Sequence, residues 1–290
     1  MSIDAIKRNP SMAGPTSPPV RLAPAYSIGS IVAAAVFAAF VLSLGLIIAH
    51  NPYFHWSVFG EYFFSAPIMD GIRITLLLTA ITMTVATILG VLVAVMRLSR
   101  NPILIAGAFV YCWFLRGIPG LVQLAFWYNF ALLFKYLGFH LGGLDLTIRT
   151  NDLMTPFVSA TIALSLSESA YIAEIVRSGV LSVGEGQIEA ARSLGMTRRE
   201  TLSRIILPQA LRVLLPPLGN QLIGLLKWTS LASTVGVAEL MLSSQLIYAR
   251  NFETIPLLLV AAAWYLIITT IFSIGQRQIE HRYAEGNSHR

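Results

Sequence analysis

Residues 28–49, IGSIVAAAVFAAFVLSLGLIIA, run for 22 positions without a charge. At about 1.5 Å per residue, that much helix crosses about 30 Å of hydrocarbon. Inside a bilayer the backbone N–H and C=O groups must be satisfied internally, which restricts a spanning segment to a helix or a closed barrel. Comparable stretches follow at about 74–96, 103–134 with an interruption, 156–176, 211–235 and 255–275. The expectation is an all-α integral membrane protein with six transmembrane helices. Composition agrees, since 56% of the 290 residues are hydrophobic and only 12% are charged, outside the usual range of soluble domains.

The first of these segments is longer than the apolar core of a secretory signal and runs on into HNPYFHW, so it reads as an uncleaved anchor. Residues 1–27 contain five prolines and no apolar period and read as a flexible tail, as do residues 281–290 at the other end. The net charge of +6 is that of a membrane protein whose basic residues gather on the cytoplasmic side, and it requires no nucleic-acid partner. With both termini cytoplasmic, 14 of the 20 Lys and Arg residues fall in inside segments. The expected protein is therefore multi-pass, with both termini in the cytoplasm. Cys112 is the single cysteine and the five histidines are scattered, so neither a disulfide framework nor a metal site is expected.

One stretch breaks the pattern. EAARSLGMTRRETLSRIILPQA, residues 189–210, carries charge every second or third position between two apolar spans. Ile188, Ala191 and Leu194 form an apolar stripe, with Glu189 and Arg192 on another face. Gly195 fits the left-handed residue that closes a helix, and Thr197-Arg198-Arg199-Glu200 fits a capping box that opens the next. Leu202, Ile205, Ile206 and Leu211 follow, with bends expected at Pro208, Pro216 and Pro217. The expected form is helix, turn, helix, lying along the cytoplasmic face. Periodicity alone fits an interfacial anchor equally well.

Residue identity goes further. Glu189-Ala190-Ala191, then Gly195, Ile205 and Leu207-Pro208 at their spacings resemble the EAA loop of permease subunits of bacterial ABC importers. SESAYIAEIVRSGVLSVGEGQIEAARSLGM (167–196), ILPQALRVLLPPLGNQLIGLLKWTSLAS (206–233) and FLRGIPGLVQL (114–124) resemble the polar amino-acid branch. The resemblance covers roughly residues 70–280. It implies a five-helix permease core, to which the helix at 28–49 is an addition, and a coupling helix within about 185–208. The coupling residues would be Glu189, Ala190, Ala191, Arg192, Leu194, Gly195, Arg198, Ile205, Leu207 and Pro208. The partners implied are two copies of an ABC ATPase, a second permease of the same or a similar kind, and a periplasmic or extracellular solute-binding protein. ATP and Mg would be bound by the ATPase, and the location implied is a bacterial inner membrane. This chain has no Gly-Lys-Ser/Thr phosphate loop, so no cofactor and no enzymatic activity of its own are expected. An ion-gradient-driven secondary transporter is the alternative, but it would have no use for an EAA loop and would typically show inverted repeats.

Polar residues inside spans are candidates for the path of an amino acid or related small solute. They are Glu168, Asn220, Gln221, Lys227, Trp228, Thr229 and Ser230. Glu168 either pairs across helices or meets the ammonium of the cargo. Glu174 and Arg177, three apart, are expected to form an ion pair. Arg116, Gly117 and Pro119 form a structural bend, with Ile118 where the family has threonine. The family commonly has acids at the positions of Gln221 and Trp228, and their absence here argues against a cationic cargo.

Overall fold

The computed structural model describes residues 28–138, 140–141, 144–145 and 147–284. The tail expected at 1–27, and 285–290 of the one expected at 281–290, lie outside them. The chain divides into two units, one ending at Phe54 and one beginning at His55. The first unit holds α1 (Ile28–His50), apolar on all sides, and a 3₁₀ turn at Pro52–Phe54.

The second unit opens with α2 (Trp56–Phe63) and α3 (Ala66–Arg97). Here α3 starts well before the expected residue 74 and carries Asp70 and Arg73 in its first turns. Next comes α4 (Pro102–Gly117), begun by Asn101, whose Oδ1 accepts from the Ile103 N–H at 2.9 Å. Pro119 removes the donor that would continue it, and the chain turns by 98° into α5 (Gly120–Tyr128). The interruption expected at Arg116–Gly120 is therefore present.

A short α6 (Phe130–Leu133) leads into two small antiparallel pairs. In the first, β1 (Tyr136–Leu137) pairs with β4 (Ile148–Arg149); in the second, β2 (His140–Leu141) pairs with β3 (Leu144–Asp145). No strand was expected in this loop, because two-residue strands are too short to show an alternating pattern. A turn of helix, α7 (Thr150–Leu153), precedes α8 (Pro156–Leu181), capped by the Thr155 hydroxyl.

Then follow α9 (Glu185–Ser193), α10 (Arg198–Glu200), a six-residue π-helical turn (Thr201–Ile206) and α11 (Leu207–Trp228), with Pro216 and Pro217 in its interior. A 3₁₀ stretch (Thr229–Val235) and α12 (Leu240–Asn251) lead to α13 (Thr254–Ala284), which continues helically past the expected boundary at 281.

Three helices among the described residues are long and apolar enough to cross a membrane on their own: α1, α3 and α13. Two bent runs, α4 with α5 and Arg198–Val235 with α12, pass the same test as pairs. By composition α8 does not, and its position explains why. It packs against α3, α4, α5 and α11, so most of its surface meets protein rather than lipid. Small residues, Ala160, Ala163, Ala170 and Ala173, are buried along it and admit close neighbours. The main core joins Leu78, Leu124, Leu164 and Leu225 from α3, α5, α8 and α11.

Candidate functional site

The polar stretch forms a closed local unit. In α9, Glu185 lies in the first turn and Arg192 in the last, each at the pole of the helix dipole that suits its charge. The helix ends where expected. Gly195 has φ +75°, its N–H donates to the Arg192 carbonyl at 2.9 Å, and the Met196 N–H reaches back to the Ala191 carbonyl at 3.1 Å. This Schellman arrangement satisfies the last carbonyls of α9. The capping box forms two residues on: Thr197 Oγ1 accepts from the Glu200 N–H at 3.3 Å, and Glu200 Oε2 accepts from the Thr197 N–H at 3.0 Å.

Pro208 does not stand in a regular helix interior; it lies in the first turn of α11, directly after the π-helical turn, so its missing donor falls at the junction of the two. The irregularity falls just before it. The Leu207 N–H donates to the Leu202 carbonyl, five residues back, in a π-helical turn. Underneath, Val183, Ala210 and Leu214 form a buried cluster with Ile175, Ile206 and Leu218 against it. That cluster roots the loop on the ends of α8 and α11.

Within the loop Ala191 is buried and Ile188 and Ile205 are half-buried, whereas Glu189, Ala190, Arg192, Gly195, Arg198, Leu207 and Pro208 are exposed. Leu194 does not join the inward stripe expected of it. It caps the helix, where the chain is already turning away, and is 81% exposed. The outer surface of the loop is therefore a large apolar side chain set among charges.

The membrane residues separate into three groups. Glu168 is 4% exposed, faces the Gln221 side chain, and leaves Oε1 without a partner among the described residues. Asn220, Lys227 and Trp228 are exposed, with Asn220 Oδ1 accepting from Gln276 Nε2 at 3.2 Å. Thr229 is fully buried and donates to the Leu226 carbonyl at 2.7 Å, and the half-buried Ser230 donates likewise to Lys227. Thr229, expected among the pathway residues, is enclosed by its neighbours here. Its hydroxyl is used where α11 tightens into the 3₁₀ stretch. Trp228 is placed by packing: a Cβ on Gly120 would lie 2.9 Å from its ring, so the indole sits against the start of α5 because that residue is glycine.

The ion pair between Arg177 and Glu174 is present at 2.6 Å, and Arg97, from the end of α3, pairs with the same carboxylate. Arg116 lies over the Tyr171 ring, 5.2 Å from its centroid. A further acid, Glu239, was not singled out from sequence. It is fully buried, accepts from the Tyr265 hydroxyl at 2.6 Å and caps α12 through the Leu242 N–H at 2.9 Å. Its one visible signal is an acid immediately before an apolar helix, three residues after Gly236. Among the described residues no group of His, Cys, Asp and Glu could hold a metal ion.

A helical membrane bundle with a capped polar loop and few polar groups inside has the form of the membrane subunit of a transporter. Residues 86–285 match the family of binding-protein-dependent transport system inner membrane components, and the chain belongs to it. It is 39% identical over 271 residues to the arginine transport system permease protein ArgU of Corynebacterium glutamicum, covering 93% of this chain and 85% of that protein. Over 216 residues it is 38% identical to the glutamine transport system permease protein GlnP of Escherichia coli K12, covering 74% and 92%. A crystal structure of an amino acid ABC transporter with histidines superposes with a TM-score of 0.65 at 33% identity, covering 74% of this chain and 94% of that one. The chain is the permease subunit of an ABC importer, a multi-pass membrane protein of the amino-acid permease group. Like other permeases of this kind it has no ATPase site, hydrolysis belonging to a separate subunit. The match to ArgU leaves too little of the chain unaligned to omit α1, whereas the match to GlnP is shorter by about one such helix and its flanks.

Proposed function

We propose that residues 185–208 dock on a separate ATPase subunit and carry its ATP-driven closure into the membrane helices. Two ATPase copies, binding ATP and Mg, would serve a pair of permeases, either two of this chain or this chain with a similar one. The observation that carries the reading is Leu194, 81% exposed on a helix end held by the Gly195 turn. An exposed leucine framed by Glu189, Arg192 and Arg198 suits a protein groove better than water, and the surrounding charges set its register.

The cargo is an amino acid or related small polar solute, delivered by an external solute-binding protein. Glu168 and Gln221 on facing helices, with Asn220, Lys227, Trp228 and Ser230 nearby in sequence, are the candidate contacts along its path. The expectation against a cationic cargo has an opposing observation in the arginine system named for the relative at 39% identity, so the proposal keeps to the amino-acid class. The topology that fits is six spans, counting α8 and each bent run as one, with both termini in the cytoplasm. The family core would occupy 70–280, with α1 an addition to it.

The test is to copurify the chain with its ATPase and reconstitute both in vesicles. Leu194→Glu and Glu189→Lys should release the ATPase and abolish ATP-dependent uptake while leaving the permease folded in the membrane. Uptake that follows an imposed ion gradient without ATP, or ATPase retention in both variants, would overturn the assignment.

A further inference from the structure

A second polar site lies on another face of α8 from Glu168. Between the end of α3, α4 and α8 is a cavity of 570 Å³ walled by Arg97, Phe109, Trp113, Arg116, Tyr171 and Glu174 among others. Its charges do not balance. Arg97 and Arg177 share the single carboxylate of Glu174, and Arg116 makes no hydrogen bond or ion pair among the described residues. The contact Arg116 does make is with the Tyr171 ring, which leaves its N–H donors free. The lining thus holds two guanidinium groups, Arg97 and Arg116, against one acid, which Arg177 also engages from outside the lining.

The depth and the outer wall say what covers that excess. Arg97 is the last residue of α3, and Glu174 lies seven residues before the end of α8, about 10 Å along the axis. The site therefore lies toward the ends of both spans, the part of a membrane helix nearest the headgroups. On α4, Phe109, Trp113 and Arg116 recur at i, i+4 and i+7 and so share one face. Phe109 is 57% and Trp113 67% exposed. Aromatic rings with an arginine at one end are the composition of a membrane interface, and basic pockets between spans are recognised sites for anionic headgroups. We propose that this cavity binds the headgroup of an anionic phospholipid, its phosphate between Arg97 and Arg116 and its acyl chains along Phe109 and Trp113.

The site carries its own reporter in Trp113. The full chain with its ATPase would be reconstituted in phosphatidylcholine vesicles containing, at equal mole fraction, either phosphatidylglycerol or phosphatidylcholine with brominated acyl chains. Brominated phosphatidylglycerol should quench tryptophan fluorescence more strongly, and Trp113→Phe should remove that excess. Arg116→Gln should weaken the preference about fivefold, the effect of one basic residue near an anionic surface. Glu174→Gln, which removes the competing carboxylate, should strengthen it. Opposite signs for these two variants separate recognition from a loss of fold. Equal quenching by the two lipids overturns the proposal. So does an absence of quenching by either, which would mean that another subunit covers this face. If inorganic phosphate or a transported amino acid abolishes the excess, the site takes a free anion and the lipid assignment is wrong.

Discussion

Replacing Gly195 tests whether the loop at 185–208 owes its form to one backbone conformation. The residue sits at φ +75°, and no heavy atom lies within 4 Å of the place a Cβ would occupy. Contact with neighbours therefore contributes nothing to the effect of a substitution, and the whole penalty is local backbone strain. For alanine that strain is about 1–2 kcal/mol. Asparagine, which tolerates the left-handed region, should lose well under about 1 kcal/mol, and valine more than alanine. About 1–2 kcal/mol shifts the local equilibrium between closed and open turn by about 5- to 30-fold. The reading is amide exchange at Gly195 and Met196, whose N–H groups close the turn onto Arg192 and Ala191. Exchange there should accelerate in the order Asn, Ala, Val, while amides in the middle of α11 and α13 keep their native rates. ATP-driven uptake should fall in the same order. Equal exchange in all three variants, or acceleration extending to α13, would refute the argument, because the penalty would then be absent or not local.

The other predictions concern the supports of the loop and the bend. Thr197→Ala removes the acceptor of the Glu200 N–H and should cost about 1 kcal/mol of local stability, seen as faster exchange at Glu200 with α13 unaffected. Glu174→Gln leaves two guanidinium groups without their carboxylate. Because the groups keep partial access to solvent, the loss should be about 1–3 kcal/mol, measured as a lowered Tm of the purified complex. In Gly120→Val the new side chain meets the Trp228 ring, whose position 2.9 Å from the Cβ leaves no room. The half-exposed indole should swing outward at a cost of about 1–3 kcal/mol, read as a red shift in tryptophan emission that Trp228→Phe removes.

The features legible in sequence are those decided within a few residues. Closure at Gly195 and restart at Thr197 depend on contacts no more than five positions apart, and the break at Pro119 depends on one missing donor. Long apolar runs likewise identify α1, α3 and α13 without reference to anything else. What sequence reading did not supply is pairing over distance. Arg97 and Glu174 stand 77 positions apart, and neither shows alone that the two Arg residues share one acid. Glu239 is a capping acid in sequence, but its tie to Tyr265 and Thr75 exists only once three helices meet. The burial of Thr229 was not legible for the same reason, since burial is a property of neighbours. The polarity of α8, with Ser159, Ser165, Glu168 and Ser169 all buried, makes it a poor span by composition and a good central helix by position.

These placements bear on how a push at the loop can reach the bundle. The capped loop is stiff, held by the Schellman closure on one side of Gly195 and the capping box on the other. The π-helical turn behind it is the weaker link, since Pro208 has no N–H to give and the ladder is already displaced by one residue at Leu207. Below that turn, Ile206, Ala210 and Leu214 are packed with Val183 and Ile175, so the start of α11 is fastened to the end of α8. At its far end Trp228 rests on Gly120, immediately past the 98° bend between α4 and α5. α11 is therefore gripped at both ends, by the base of the loop and by the bend, and Gln221, opposite the half-satisfied carboxyl of Glu168, lies between the two grips. A rotation or shift of α11 set by the loop cannot leave that pair unchanged. If the loop docks on an ATPase as proposed, this contiguity is the course through packed residues that its motion would take.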